Sequence, residues 1–407
     1  MLPTLWHRFK MLTLWLIYTI IIFQVSRIIM YGYHYSYFSQ LNTPQLIKIL
    51  VGGTRFDCVS ITIAHLPIII ICLIPLTFQK FRYIVKYSFA LTFVIYHLFL
   101  FLNFVDIPYF SFIHKRSTSD LFFQIGGQTD ILKQLPAYWH DFWYLFLVFL
   151  LLVYSNYRVF QYLFKDKFHE NDFLISRKNI AIYIFILISV TSISVISIRG
   201  GLQRIPLDII DASLYTEPPY AALVLNTPFS IIKSMEQKTL PKYDFFDDLE
   251  NIKILKQIKQ YPFAKMIKKN IVLIILESFS KEYTALGKKQ SYTPFLDSLM
   301  QKSIVFEHAW SNGTKSIEGI PAIISSVPTW MDNPFINSLY CHNNTHALPL
   351  LLKKERYYSA FFHGGINGTM NFDAYAKQAG FDTYYGKNEY PNKEDFDNYW
   401  GIWDEPF

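Results

Sequence analysis

Five blocks of apolar residues dominate the first half of this chain, and each is long enough to cross a bilayer, which takes roughly 20 apolar residues. They fall at about 11–30, 58–78, 86–106, 142–163 and 179–199. Such blocks leave few folds open, because a lipid-exposed backbone must satisfy its own polar groups and does so as a helix. The first block is read as a retained helix rather than a signal peptide: its apolar run is long, no small-residue cleavage site follows, and four more spans come after it. A five-helix transmembrane domain is therefore expected over 1–200.

Short-loop charges set the expected orientation. With the N-terminus in the cytoplasm, the inner segments carry Arg8, Lys10, Lys80, Arg82, Lys86, Lys165, Lys167, Arg177 and Lys178. The outer loops carry Lys48, Arg55, Lys115, Arg116 and Lys133. The excess lies inside, and an odd number of spans then puts everything after residue 200 outside the cytoplasm. The net charge of +7 partly reflects these flanks. With no basic stripe or zinc-finger spacing beside it, no nucleic-acid partner is expected. Cys58, Cys72 and Cys341 do not make a disulfide framework, so the exported part must fold on its core alone.

Beyond Arg199-Gly200-Gly201 the apolar pattern breaks into pieces of strand and helix size. Residues 201–267 read as an amphipathic linker lying along the membrane surface, with a short helix at 245–259. From 268 to 407 strands alternate with helices, which predicts an α/β domain with a mainly parallel sheet. Strands are expected at 271–276, 304–311 and 358–365. Helices are expected at 293–303, 314–326 (with Pro321 imposing a kink or early stop), 347–357 and 371–381. The aliphatic run Ile271–Leu276 reads as a strand buried on both faces, ending at Glu277.

Two residues stand where chemistry is favoured. Glu277 sits at the carboxyl end of a strand, where ligands of open α/β sheets bind. Left unpaired beside a buried strand it would be costly, and a cation would satisfy it. Thr314 follows an Asn-Gly turn and opens a helix, where free N–H groups and the helix dipole favour an anion. A divalent ion shared by Glu277 and Thr314 would activate the hydroxyl as a phosphoryl-accepting nucleophile. The plain alternatives are a helix cap for Thr314, a loop carboxylate for Glu277, a turn residue for His363, surface or cap roles for Asp297, Glu307 and His308, and a solvated helix face for Glu318.

The stretches "NIVLIILESFSKEYT" and "TPFLDSLMQKSIVFEHAWSNGTKSIEGIPAIISSVP" resemble the lipoteichoic acid synthase-like, phosphoglycerol transferase branch of the alkaline phosphatase/sulfatase superfamily. "TRFD", "KRSTSDLF", "RGGLQ…NTPFS" and "FHGGINGTMNFDAYAKQAGFDTYYG" are similar as well. The resemblance implies five membrane helices followed by an extracytoplasmic α/β domain. It implies Glu277 as a metal ligand and Thr314 as nucleophile and second ligand. His363 and Asn367 remain as polar candidates for substrate binding. The cation implied is one divalent ion, Mn²⁺, Mg²⁺ or Zn²⁺. The partners implied are a phospholipid donor, an envelope glycan or lipid acceptor and the bilayer of a bacterial cytoplasmic membrane. The group moved would be phosphoglycerol or phosphoethanolamine.

This sequence departs from that branch in two places. Met370-Asn371-Phe372 stands where the polyglycerolphosphate synthases carry Trp-Asn-Arg, which removes a bidentate phosphate clamp. The branch completes its metal site with an Asp-His pair, and none follows residue 277. The expectation is a C-terminally truncated sulfatase-type domain, with an inert membrane protein as the rival reading. A sulfatase is disfavoured, since no Cys or Ser stands in a C/S-x-P-x-R pattern and Cys341 lies in "LYCHNNT".

Overall fold

The computed structural model describes residues 2–73, 81–119, 130–164, 177–235, 240, 267–287, 290–331, 333–397 and 401–407. The expected helix at 245–259 lies outside them.

Five long helices form the first half: α1 (Leu2–Tyr33), α2 (Thr43–Leu73), α3 (Phe81–Ile113), α4 (Asp130–Phe164) and α5 (Arg177–Arg199). Each contains an apolar stretch long enough to span: Lys10–Tyr33, Thr43–Ile71, Tyr87–Ile113, His140–Leu163 and Ile180–Arg199. Helix α2 packs against α1, α3 and α5 and is the centre of the bundle. It starts well before residue 58, the expected beginning of that span. Hydropathy hides its first turns because they hold Gly52, Gly53, Arg55 and Asp57. Those residues are helical because neighbours satisfy them: Arg55 donates to the Gly200 carbonyl, and Asp57 is fully buried against Arg27. The outer-loop placement of Lys48 and Arg55 changes accordingly, since both lie within α2.

The chain leaves α5 through Gly200 and Gly201, with φ of +78° and +133°. At Gly200 a Cβ would collide with Leu207, so the turn back onto the bundle depends on glycine there. The described part of the expected surface linker instead folds into the protein. A 3-10 turn over Ile209–Leu214 opens with a reciprocal cap: the Asp208 carboxylate accepts from Ile209 N–H at 2.7 Å, and Asp211 accepts from Asp208 N–H at 2.7 Å. A helical turn, Ala221–Val224, and α6 (Thr227–Ser234) follow. Asn226 caps α6 by accepting from Phe229 N–H at 2.9 Å, and Pro228 occupies the first turn, where its missing N–H costs nothing. Ala221 to Ile231 are all buried. This stretch, "AALVLNTPFSI", has no polar face to give to water, which is why it enters the bundle rather than lying on a surface.

The C-terminal part holds α7 (Pro294–Met300), α8 (Ser316–Ser325), α9 (Leu348–Lys354), β1 (Ala360–Phe362), α10 (Phe372–Gln378) and β2 (Thr383–Tyr385). Strands β1 and β2 pair in parallel, with Ala360, Phe361 and Phe362 opposite Thr383, Tyr384 and Tyr385. Helix α10 makes the crossover that a parallel pair requires. Aromatic stacking fixes the register, with ring centroids 5.7 Å apart for Phe361–Tyr384 and 4.8 Å for Phe362–Tyr385. Gly380, at φ +87°, ends the α10 region as expected.

Two expected strands do not form a ladder. Residues 271–276 and 304–310 carry no strand pairing, and their side chains are not packed into a core: Val272 is 81% and Ile304 87% exposed. Aliphatic composition makes a segment fit for a sheet, but a strand exists only where a neighbour takes its N–H and C=O groups. Among the described residues no neighbour does so at either place. Helix α8 runs on for four residues past Pro321 and stops at Ser326, which is left-handed.

Candidate functional site

Glu277 lies at the end of the extended segment, followed by Ser278 at φ +52°, a conformation that non-glycine residues hold mainly where surroundings impose it. The Glu277 carboxylate is exposed and accepts a hydrogen bond from the Ser316 hydroxyl in the first turn of α8. The premise that this carboxylate emerges from a strand buried on both faces, and so demands a cation, does not hold: residues 271–280 are all exposed.

Thr314 precedes α8 by two residues, and Lys315 is the N-cap. The Thr314 side chain accepts no capping bond. Instead the Glu318 carboxylate reaches back over the helix start, accepting from Thr314 N–H at 2.9 Å, from the Thr314 hydroxyl at 3.3 Å and from Lys315 N–H at 3.3 Å. Those bonds hold the Glu318 carboxyl below the usual range, the Thr314 N–H contact first. Glu318 thus caps α8 and orients Thr314, where the sequence reading had it on a solvated face. The signal was legible, since a Glu at the third helical position is the reaching half of a capping box.

The Ser316–Glu277 bond places Glu277 two residues along the chain from Thr314, at the same end of α8. A cleft of about 1140 Å³ opens from that end. One wall is Ile271, Leu273, Ile275 and Glu277, every second residue, as an extended chain presents them. Ser316, Ile320 and Ile324 of α8 form another, and the β1 strand through His363 closes it. Arg204, from the segment just after α5, also lines this cleft. The Arg204 guanidinium has no hydrogen-bond or ion-pair partner among the described residues. Sequence reasoning did not single it out, because nothing local ties residue 204 to residue 277.

His363 lines the cleft beside β1. Its Nδ1 lies 3.1 Å from the Tyr384 hydroxyl, its ring stands edge-on to Phe372 at 5.0 Å, and burial lowers its pKa. A neutral imidazole is the form such a setting favours. Asn367 is placed differently: its amide donates to both Glu389 carboxylate oxygens, at 3.2 and 3.0 Å, and accepts from Asn388 N–H at 3.1 Å. It does not line the cleft. Met370 does, and Met370 and Asn371 are consecutive left-handed residues, at φ +53° and +56°.

The donors do not make a closed metal site. Glu277 and Thr314 supply two oxygen ligands, and among the described residues no group of three His, Cys, Asp or Glu side chains could hold an ion. A stable site generally needs three or four protein ligands.

The C-terminal segment carries its identity in its sequence: residues 269–407 match the Sulfatase family. The molecule is a membrane protein with a sulfatase-type α/β domain following five long apolar helices. It is similar to lipoteichoic acid synthase 2 of Bacillus subtilis (strain 168), with 28% identity over 188 residues, covering 43% of this chain and 28% of that protein. The matched region thus spans little more than a quarter of that relative's length. Residues 269–407 thus form a sulfatase-type domain, and the chain resembles the lipoteichoic acid synthases of the alkaline phosphatase/sulfatase superfamily. No solved structure matches it.

Proposed function

We propose that this protein is a membrane-bound phosphotransferase that takes a phospho-alcohol head group, phosphoglycerol or phosphoethanolamine, from a phospholipid and hands it to an extracytoplasmic glycan or lipid. The observation that carries this reading is the meeting of Glu277 and the Thr314 loop at one end of α8, inside the segment that matches the Sulfatase family. In the first step the Thr314 oxygen attacks phosphorus. A Thr–O–P bond forms and the bond from phosphorus to the diacylglycerol oxygen breaks. The Thr314 proton has an acceptor in Glu318, 3.3 Å away, and passes on to the leaving alkoxide. In the second step the acceptor hydroxyl attacks phosphorus and the Thr–O–P bond breaks; the acceptor's proton passes by way of Glu318 to the Thr314 oxygen, restoring the hydroxyl. Arg204 would hold the phosphate's negative charge and His363 would hydrogen-bond the head group; both line the cleft. A divalent cation, Mn²⁺, Mg²⁺ or Zn²⁺, would polarise the phosphoryl oxygens when bound, with Glu277 and Thr314 among its ligands.

The test is to reconstitute the protein in vesicles containing phosphatidylglycerol and phosphatidylethanolamine, quench, and search by mass spectrometry for head-group phosphate on Thr314. A modified Thr314 is the expected result. Its absence, together with no head-group release, would favour the rival reading of an inert membrane protein, which the two-ligand donor set favours. The proposed orientation has the N-terminus in the cytoplasm and the sulfatase-type domain outside. An alkaline phosphatase reporter fused after residue 240 should then be active and one fused near residue 170 silent; the opposite pattern would reverse the topology.

A further inference from the structure

Two ion pairs lie buried at the end of the bundle where the chain leaves α5, and both grip the same short stretch. Arg27 of α1 makes a two-pronged contact with Asp57 of α2, at 2.7 and 2.8 Å. Its other bonds go to backbone carbonyls: Leu223 at 2.6 Å and Val224 at 3.2 Å in the returning chain, and Gly53 of α2 at 3.4 Å. Asp57 in turn accepts from the Asn226 amide at 2.9 Å. The second pair repeats the plan. Arg116 lies 4.0 Å from Asp106 of α3 and donates to the Ala222 carbonyl at 2.8 Å. Asp106 accepts from the Thr227 hydroxyl at 2.7 Å, and Asn103 accepts from Thr227 N–H at 2.9 Å. All four charged side chains are almost fully buried.

Charges inside a membrane bundle are costly, and they persist where partners and a role hold them. Here each arginine spends donors on carbonyls that a helix would have satisfied itself, so the pairs are matched to residues 222–227 in their irregular conformation. That stretch leads to the sulfatase-type domain. Ala221–Val224 packs on the 209–214 turn, and that turn packs on α10. The turn is also pinned to α2, where Arg55 donates to the Tyr215 hydroxyl at 3.1 Å. Buried Ile209 and Ile210 meet the domain core that contains Phe335, Ile336, Phe372 and Ala374. Phe372, the first residue of α10, stands edge-on to His363 in the cleft.

We infer that residues 221–227 are a re-entrant anchor, locked by the Arg27–Asp57 and Arg116–Asp106 pairs, that sets the position of the cleft relative to the membrane bundle. Asn226 and Thr227 are its positioning residues. This inference stands apart from the proposed chemistry, and its test needs no turnover.

The experiment is hydrogen–deuterium exchange, followed by mass spectrometry, on the full protein in lipid nanodiscs. Asn226→Ala with Thr227→Val removes the anchor's side-chain bonds to Asp57 and Asp106 while leaving both ion pairs and the arginine–carbonyl bonds in place. Amide exchange should then rise at least about ten-fold in 221–229 and, with it, in 372–378, while 10–33 and 87–113 keep wild-type protection. Thr227→Ser in place of Thr227→Val, which keeps the hydroxyl, should restore most of the protection. Faster exchange confined to 221–229, with 372–378 unchanged, would overturn the inference, as would no change at all. If the double variant also loosens the bundle helices, Thr227→Val alone is read by the same two criteria.

Discussion

Replacing Thr314 by Ala is expected to abolish head-group transfer, by on the order of a thousand-fold or more, as loss of a covalent nucleophile does. Folding should barely notice. The Thr314 side chain is exposed, and its one side-chain hydrogen bond goes to Glu318, which keeps two backbone N–H donors without it. The stability cost should stay below the ~1 kcal/mol that a true helix cap contributes. Thr314→Ser retains a hydroxyl at the same reach and should retain part of the rate. The measurement is transfer of labelled head group in vesicles, beside thermal unfolding in detergent for all three proteins. Wild-type transfer by Thr314→Ala would remove Thr314 from the mechanism.

The second large effect concerns pH. Asp211 lies in the 209–214 turn that joins bundle and domain, and its carboxyl is raised to about 7. Burial is the main cause; neighbouring Asp208 and Asp373 push the same way, while the Asp208 N–H and Arg55 oppose it. An acid whose folded pKa lies above its unfolded value stabilises the fold at low pH. That contribution is complete below about 4, declines as pH rises toward 7, and is lost above it. A shift of this size is worth on the order of 2–4 kcal/mol, the lower end reflecting the partial exposure of the side chain. The unfolding midpoint should therefore fall between pH 5 and pH 8. Asp211→Asn should flatten most of that slope, leaving what Asp208 and Asp373 contribute, and should be more stable than the wild type at pH 8. Parallel slopes for the two proteins would show that Asp211 does not carry the effect.

What the sequence revealed divides along physical lines. Membrane spans are legible because a bilayer imposes length and apolarity on contiguous residues, and four of the five apolar blocks lie largely within the spans found. The second was misplaced because Arg55 and Asp57 look like loop residues until their partners, Gly200 and Arg27, are known, and those come from distant parts of the chain. The same non-local pairing made 221–234 read as linker. Helices α7 to α10 and strand β1 all fall within the segments expected for them, although β1 is only partly buried. Residues 271–276 and 304–310 show the limit: strand composition is local, but strand formation depends on a neighbour. At the candidate site, Glu277 and Thr314 were singled out from their places in the sequence, and the contact seen between the two segments is Ser316 to Glu277. The roles of Glu318, Ser316 and Arg204 were not foreseen, since the last two depend on chain segments far apart in sequence.

The anchor also dictates an order of assembly during synthesis. Arg27 and Asp57 are 30 residues apart and can pair as soon as α2 has been made. The Leu223 carbonyl that completes the arginine's coordination lies 196 residues downstream. At translation rates of roughly 5–20 residues per second, that partner arrives about 10–40 s after the arginine. For that interval the bundle holds a guanidinium with unsatisfied donors, which water or lipid phosphate must serve. The last contacts of the membrane domain's folding thus wait on the ribosome's progress through residue 227, beyond the end of the fifth helix.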